Sequence, residues 1–167
     1  MTHHMRPTST STLSVLIAVL IAITVSATGC GGEPGDADSR STRHSTGTVA
    51  DITTEAVDFS GIAIPEGVTV LAAHTESALD TLYQLTLLTD PEGLTKFLSA
   101  SNFTTPLTKG GVTFLSPIAG PRLDTSPSVV ETWDRIQRPN GQLVNRSVTV
   151  DERDATTRYI HLMLYTT

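Results

Sequence analysis

The sequence predicts an α+β fold: a small two-layer sandwich in which an antiparallel sheet of four or five strands carries one or two helices on one face. Two observations lead to this prediction. Between residues 57 and 167, short apolar stretches alternate with turn residues, and four of these stretches form two consecutive pairs. The segment between the two pairs contains one clearly signalled helix. About 110 residues can bury an adequate core without disulfides or a metal.

The first pair of predicted strands covers residues 68–74 and 79–88. Glu66 and Gly67 precede the first strand, and a polar turn separates the two. In the second strand, Tyr83, Leu85 and Leu87 share one face because side chains alternate along an extended chain. The two segments are therefore predicted to form an antiparallel hairpin.

A helix is predicted to start at residues 89–92. Either Thr89 caps it with Glu92 three residues later, or Asp90 caps it with proline at the first helical position. Leu94, Phe97 and Leu98 then follow at helical spacing, and Asn102 is the predicted stop. The apolar stripe has the width that packs on one face of a sheet.

Residues 103–128 contain four prolines and three glycines, which excludes a long regular element. A short strand remains possible at residues 112–115. Long irregular segments inside small domains are often functional, so this one is predicted to be the first place where specificity would lie. A second, short helix is predicted from Ser128, with Glu131 completing a capping pair and Val130 and Trp133 facing inward.

The second pair of predicted strands covers residues 142–150 and 156–165, after a turn at residues 138–141. Their apolar side chains alternate, as expected of strands with one buried face. Those predicted to share a face within each strand are Val144, Val148 and Val150, and Ile160, Leu162 and Leu164. A polar corner at residues 151–154 joins the two strands.

The first 30 residues have the features of an export signal. Residues 1–12 are polar with Arg6 as the one full positive charge, and residues 13–25 form an apolar run that is short for a bilayer span. Ala27, Thr28, Gly29 and Cys30 follow. This tetrad resembles the lipobox of bacterial lipoproteins, although leucine is usual where Ala27 stands.

The resemblance implies that a diacylglyceryl group is attached to Cys30 and that a signal peptidase cuts between Gly29 and Cys30. Two acyl chains are sufficient for stable membrane retention. The chain would then be anchored by lipid at the extracytoplasmic face of the cell membrane. The composition, with few lysines and many Thr and Ala residues, resembles that of lipoproteins from high-G+C Gram-positive bacteria. This likeness of composition indicates no activity.

Three segments are therefore predicted. Residues 1–29 form the signal peptide, residues 30–56 form the lipidated cysteine with a disordered tether, and residues 57–167 form one globular domain. The tether prediction depends on a stretch rich in Gly, Ser, Thr and Asp, which has little apolar surface to offset its ordering entropy.

Charge and cysteine content exclude several classes of function. The net charge is −6 and no basic cluster occurs, which argues against nucleic acid and against electrostatic docking on anionic lipid. Because Cys30 is the only cysteine, there is no intramolecular disulfide and no thiol left for an enzyme of the domain.

No strong catalytic or metal motif is found, and no cofactor or metal is predicted. His74, Glu76 and Asp80 lie near one turn and could supply zinc ligands, but a solvated polar turn is favoured. The acids at residues 151–154 do not have EF-hand spacing. His161 is expected to be a satisfied sheet-face histidine.

Two hypotheses for function remain from these observations. The favoured one is a non-catalytic binding or interaction module, held at the membrane by its lipid, with a protein or small-molecule partner in the cell envelope. The alternative is a small envelope hydrolase that uses His74 or His161 with nearby carboxylates. Convergence of these side chains in one concave pocket would favour the hydrolase.

Overall fold

A computed structural model describes residues 43–44, 47–77, 80–110 and 116–166. All of them belong to one unit that begins at Asp38. The strands are β1 (Arg43–His44), β2 (Thr69–Ser77), β3 (Thr81–Thr89), β4 (Thr108–Lys109), β5 (Val129–Gln137), β6 (Leu143–Glu152) and β7 (Arg158–Tyr165), and the helices are α1 (Val49–Ser60) and α2 (Pro91–Ala100).

The strands of the described residues form one antiparallel sheet in the order β1-β2-β3-β7-β6-β5-β4. Five strands have eight to ten residues, and β1 and β4 have two each. Both helices contribute to a buried apolar cluster with one face of the sheet, so the predicted α+β two-layer sandwich is confirmed. The cluster comprises Ala56, Ile62, Leu85, Leu87, Leu94, Phe97, Val148, Val150, Ile160, Leu162 and Leu164.

Helix α1 corrects the predicted domain boundary at residue 57. Thr48 and Asp51 form a reciprocal capping box, in which the Asp51 amide donates to Thr48 Oγ1 and the Thr48 amide donates to Asp51 Oδ2. Ile52 and Ala56 are buried on the side of the helix that faces the sheet. The prediction that residues 49–56 belong to a disordered tether is therefore wrong, because these side chains, with Val57 and Phe59 in the next turn, bury apolar surface that offsets the entropy lost on ordering the segment.

Helix α2 agrees with one of the two predicted starts. Asp90 is the N-cap and accepts a 2.7 Å hydrogen bond from the Gly93 amide, with Pro91 at the first helical position. Leu94 and Phe97 are buried against the sheet, as predicted. The helix ends at Ala100, and Asn102 adopts a left-handed conformation with φ 57°.

The second predicted helix is wrong, because residues 129–137 form strand β5. Glu131 pairs with Thr149 of β6 instead of capping a helix, and Val130 faces the core. Trp133 points away from the core and is 67% exposed. The extended conformation wins because pairing with β6 supplies a full ladder of hydrogen bonds and buries alternate β5 side chains.

A buried arginine connects both helices to the sheet. Arg146 of β6 forms a two-point ion pair with Asp134 of β5, through Nε at 2.7 Å and through Nη2. Its Nη1 donates to the carbonyl oxygens of Ser60 and Ser101, which lie at the ends of α1 and α2. The positive charge therefore lies at the two C-terminal helix ends, where the helix dipoles favour a cation.

Candidate functional site

The face of the sheet opposite the helices, called the back face below, is the candidate functional surface. The strand register places its side chains in rows that cross β5, β6, β7 and β3 in that order. The four rows are Val129, Asp151, Tyr159 and Leu88; Glu131, Thr149, His161 and Thr86; Trp133, Ser147, Met163 and Gln84; and Arg135, Asn145, Tyr165 and Leu82. Thr149, His161 and Thr86 are buried, whereas Trp133 is exposed. The back face is thus half covered and half open.

The covered half lies beneath residues 116–128, called the crossing loop below. Gly120 lies so close to the Tyr159 ring that a Cβ atom at this position would be 2.9 Å from Tyr159 Cδ1. Its φ of 84° is also one that residues with a side chain rarely adopt, so both features require glycine here. Ile118 lines a cavity at the β2 and β3 side of the back face. At the other end, Ser126 Oγ donates a 2.5 Å hydrogen bond to Asp151. This part of the predicted 103–128 segment is therefore a cover for the sheet.

His161 is the most deeply buried ionisable ring of the covered half, with 1% of its surface exposed. Its Nδ1 lies 3.2 Å from Thr86 Oγ1, and its Nε2 has no hydrogen-bond partner within the described residues. Burial of the ring lowers the pKa of His161 below 6.5, and the nearby Asp151 carboxylate opposes this shift. The imidazole is therefore held neutral, and it has no access to a substrate from the open half.

Burial of His161 predicts a specific acid sensitivity. Because the unfolded chain takes up this proton near pH 6.5 and the folded chain resists it, the free energy of unfolding is fully retained above that pH. It falls as the pH drops below 6.5 toward the lowered pKa, by up to about 1.4 kcal/mol per pH unit. Urea unfolding of the parent and of His161→Gln, measured at about pH 7.5 and about pH 5, should show a smaller acid loss in the variant. Equal losses would contradict the assignment.

His74 and Glu76 of β2 do come together, whereas the other candidates do not join them. His74 Nε2 lies 3.3 Å from Glu76 Oε1, and both line an open cavity of about 430 Å³ with Ile118. Asp80 is exposed in the turn before β3. His161 is two strands and two residues away from His74, roughly 12 Å between Cα atoms. The candidate histidines and carboxylates of the hydrolase hypothesis therefore do not converge in one pocket.

The acidic corner between β6 and β7 is occupied by internal contacts. Asp151 is buried and pairs with Arg153 through Nε at 3.1 Å and Nη2 at 2.5 Å. Asp154 Oδ1 accepts hydrogen bonds from the amides of Thr156 and Thr157, which lower the pKa of Asp154. The corner is polar, as predicted, but only Asp154 of these two acids is exposed, whereas Asp151 is buried and paired with Arg153. The described part of the chain contains no group of three metal-ligating side chains.

The open half of the back face contains a slot of about 270 Å³, called the β5–β7 slot below. Trp133 of β5 forms one wall and Tyr165 of β7 the other, while Ser147 and Asn145 of β6 form the floor. The walls are two strand spacings apart, about 10 Å. Small side chains on the middle strand between two aromatic side chains thus create the depression.

Arg135 stands at the end of the slot and is oriented by a buried amide. Its Nε donates a 2.7 Å hydrogen bond to Oδ1 of Asn145, which is 7% exposed and whose Nδ2 donates to the Tyr165 carbonyl oxygen. Arg146, Arg153 and Arg158 each pair with a carboxylate. No described carboxylate pairs with Arg135, so both of its Nη groups remain available to a ligand.

This slot was not predicted from the sequence, because Trp133 was expected to lie in a helix. The signal was present in the alternation of residues 129–137, in which Val130, Thr132 and Ile136 occupy one face. Three β-branched residues at even spacings, with Asp134 completing the alternation, are typical of a strand, and they place Trp133 and Arg135 on the other face.

The residues of the predicted lipidation site, Gly29 and Cys30, lie outside the described part of the chain. The same holds for the apolar run at residues 13–25 and for the possible strand at residues 112–115. Neither helix in the described ranges has the length and apolar character required to span a bilayer.

Comparisons with known proteins found no match to this chain, whether against family models, curated proteins or solved structures.

Proposed function

We propose that this chain is a bacterial lipoprotein precursor whose lipidated Cys30 holds a non-catalytic binding domain at the extracytoplasmic face of the cell membrane. The observation that carries the anchoring is the lipobox-like tetrad ending at Cys30, directly after the apolar run at residues 13–25. The sole cysteine of the chain stands at the one position where a diacylglyceryl group would be attached.

The binding role is supported by the open half of the back face. The β5–β7 slot combines an exposed aromatic wall with a cation that lacks a carboxylate partner in the described residues. Concave sites with a few oriented polar groups are typical of ligand binding. The hydrogen bond that Arg135 Nε donates to the buried Asn145 amide oxygen keeps Arg135 in place without neutralising it.

One observation favours the hydrolase alternative, namely the His74–Glu76 pair in its open cavity. A histidine oriented by a carboxylate could act as a general base. The remaining lining residues are Ala72, Ala73, Gln84 and Ile118, none of which is a nucleophile. Binding is therefore the function that the described residues support better.

The anchoring is tested by replacing Cys30 with serine in a Gram-positive host supplied with labelled palmitate. The parent should incorporate the label and stay with the membrane, because two acyl chains give stable retention. Cys30→Ser should lose the label and either remain unprocessed or leave the cell.

Gly32→Ser is the matched control, since it introduces the same side chain two residues beyond the cysteine. It should be labelled and retained like the parent. An unlabelled parent, or membrane retention of Cys30→Ser as a processed chain, would refute lipidation at Cys30.

A further inference from the structure

We propose that the β5–β7 slot binds an acidic saccharide, with the sugar ring stacked on Trp133 and its carboxylate held by Arg135. This inference deepens the proposed function, because it names a ligand class for the binding domain, and it rests on that domain being a binding module.

The aromatic wall is available because, among the described residues, no strand pairs with the sheet edge next to it. Strand β4 pairs only with Val130 and Glu131, so no described strand pairs with the outer edge of β5 from Trp133 onward. The Val129 carbonyl oxygen accepts a hydrogen bond from the Gly110 amide, so the backbone groups of Val129 point toward β4 and away from β6. Because these directions alternate along a strand, the backbone groups of Trp133 also point away from β6. Trp133 and Ser147 then form a non-hydrogen-bonded pair, in which the Cα atoms approach to about 4.5 Å. The indole thus rises directly beside the small Ser147 floor.

The face of an indole ring carries partial negative charge, which attracts polarised C–H groups. One side of a pyranose ring presents such groups, while its hydroxyls project around the rim. The slot volume of about 270 Å³ suits one or two sugar rings, and it is too small for a folded segment of a partner. Ser147 and Asn145 lie where rim hydroxyls would meet the floor.

Arg135 supplies the preference for an acid. Its Nε is engaged by Asn145, and Nη1 and Nη2 of this exposed residue form no hydrogen bond within the described residues. A planar guanidinium binds a carboxylate through two parallel hydrogen bonds, and such charge-assisted bonds are about twice as strong as neutral ones. Because the orienting amide is buried, little side-chain entropy is lost when a ligand binds.

Negative charge around the slot favours a singly charged carboxylate over a doubly charged phosphate. Glu131 lines the slot on the other side of Trp133, with its carboxyl group against Gly110, where a Cβ would be 3.1 Å away. Its negative charge repels a doubly charged phosphate more strongly than a singly charged carboxylate. The net charge of −6 adds to this repulsion.

The experiment uses the intrinsic fluorescence of Trp133, the only tryptophan of the chain. The full chain, purified in a mild detergent, is titrated with glucuronate, glucose and glucose 6-phosphate, three ligands with the same ring. Glucuronate should give a saturable change in fluorescence. Glucose should bind at least about tenfold more weakly, because it lacks the charge. Glucose 6-phosphate should also bind more weakly than glucuronate, because Glu131 and the net negative charge of the chain repel its second negative charge.

Two variants keep the fluorophore and test the two recognition elements. Arg135→Gln should weaken glucuronate binding about tenfold, to the level of glucose. Ser147→Leu should abolish binding of all three sugars by filling the floor. Arg122→Gln is the matched control, since this exposed arginine pairs with Asp124 away from the slot, and it should bind like the parent. Near-ultraviolet circular dichroism identifies any variant that fails to fold.

The proposal is overturned if glucuronate gives no saturable change, if glucose binds as tightly as glucuronate, or if glucose 6-phosphate binds more tightly. It is also overturned if folded Arg135→Gln binds glucuronate like the parent. Failure of the anchoring would be seen in palmitate labelling alone and would leave these titrations unchanged, so the two failures are distinguishable.

Discussion

Replacing Asp134 by alanine is expected to lower the free energy of unfolding by about 3 kcal/mol or more, because it leaves the Arg146 guanidinium buried without its counter-charge. The Arg146 side chain is 3% exposed and that of Asp134 is 17% exposed. The same guanidinium also donates to Ser60 and Ser101 at the two helix ends, and its carbon lies 4.3 Å from the centre of the Phe103 ring. Urea unfolding followed by circular dichroism measures the change.

Asp124→Ala is the matched control for this variant. Asp124 forms the same two-point pair, with Nε and Nη2 of Arg122, but the two side chains are 53% and 81% exposed. Exposed pairs contribute little, because water solvates both charges and the side chains lose entropy on pairing. Asp124→Ala should therefore unfold at the same urea concentration as the parent. Equal stability of Asp134→Ala and Asp124→Ala would show that the buried pair does not hold the helices to the sheet.

The second large effect is expected from shortening the chain at its amino-terminal side. A chain that begins at Val57 lacks Ile52 and Ala56, whose burial against the sheet is complete or nearly so. Loss of a buried isoleucine alone costs about 2–5 kcal/mol, so the melting temperature should fall by at least about 10 °C. The comparison chain begins at Asp38, where the unit that contains all described residues starts.

Thermal unfolding of these two chains locates the domain boundary. Both lack the leader and Cys30, so a difference between them reports the contribution of residues 38–56 only. Ile52→Ala in the longer chain should reproduce part of the loss. Identical melting temperatures for the two shortened chains would restore the boundary at residue 57.

The elements that were predicted well are those whose signals are local. Helix α2 is specified by Asp90, Pro91 and the stripe formed by Leu94 and Phe97, all within eight residues. The buried faces of β6 and β7 follow from alternating apolar residues, because a strand with one buried face has a period of two. These local patterns are sufficient for the α+β class and for the antiparallel pairs.

The elements that were missed depend on partners distant in the sequence. Helix α1 begins with a local capping box, but half of its residues are polar, and its order depends on Ile52 and Ala56 meeting the sheet. The conformation of residues 129–137 is determined by pairing with β6. Trp133 is exposed because β4 pairs with β5 only as far as Glu131.

The sequence by itself determined the fold class, the capped helix α2 and the buried faces of the long strands, because periodicity and capping act over a few residues. Only the tertiary structure decided which half of the back face is covered, and which of its side chains can meet a ligand. The physical reason is that burial depends on what lies opposite a side chain. His161 is neutral beneath the crossing loop, whereas Trp133 and Arg135 remain open beyond it.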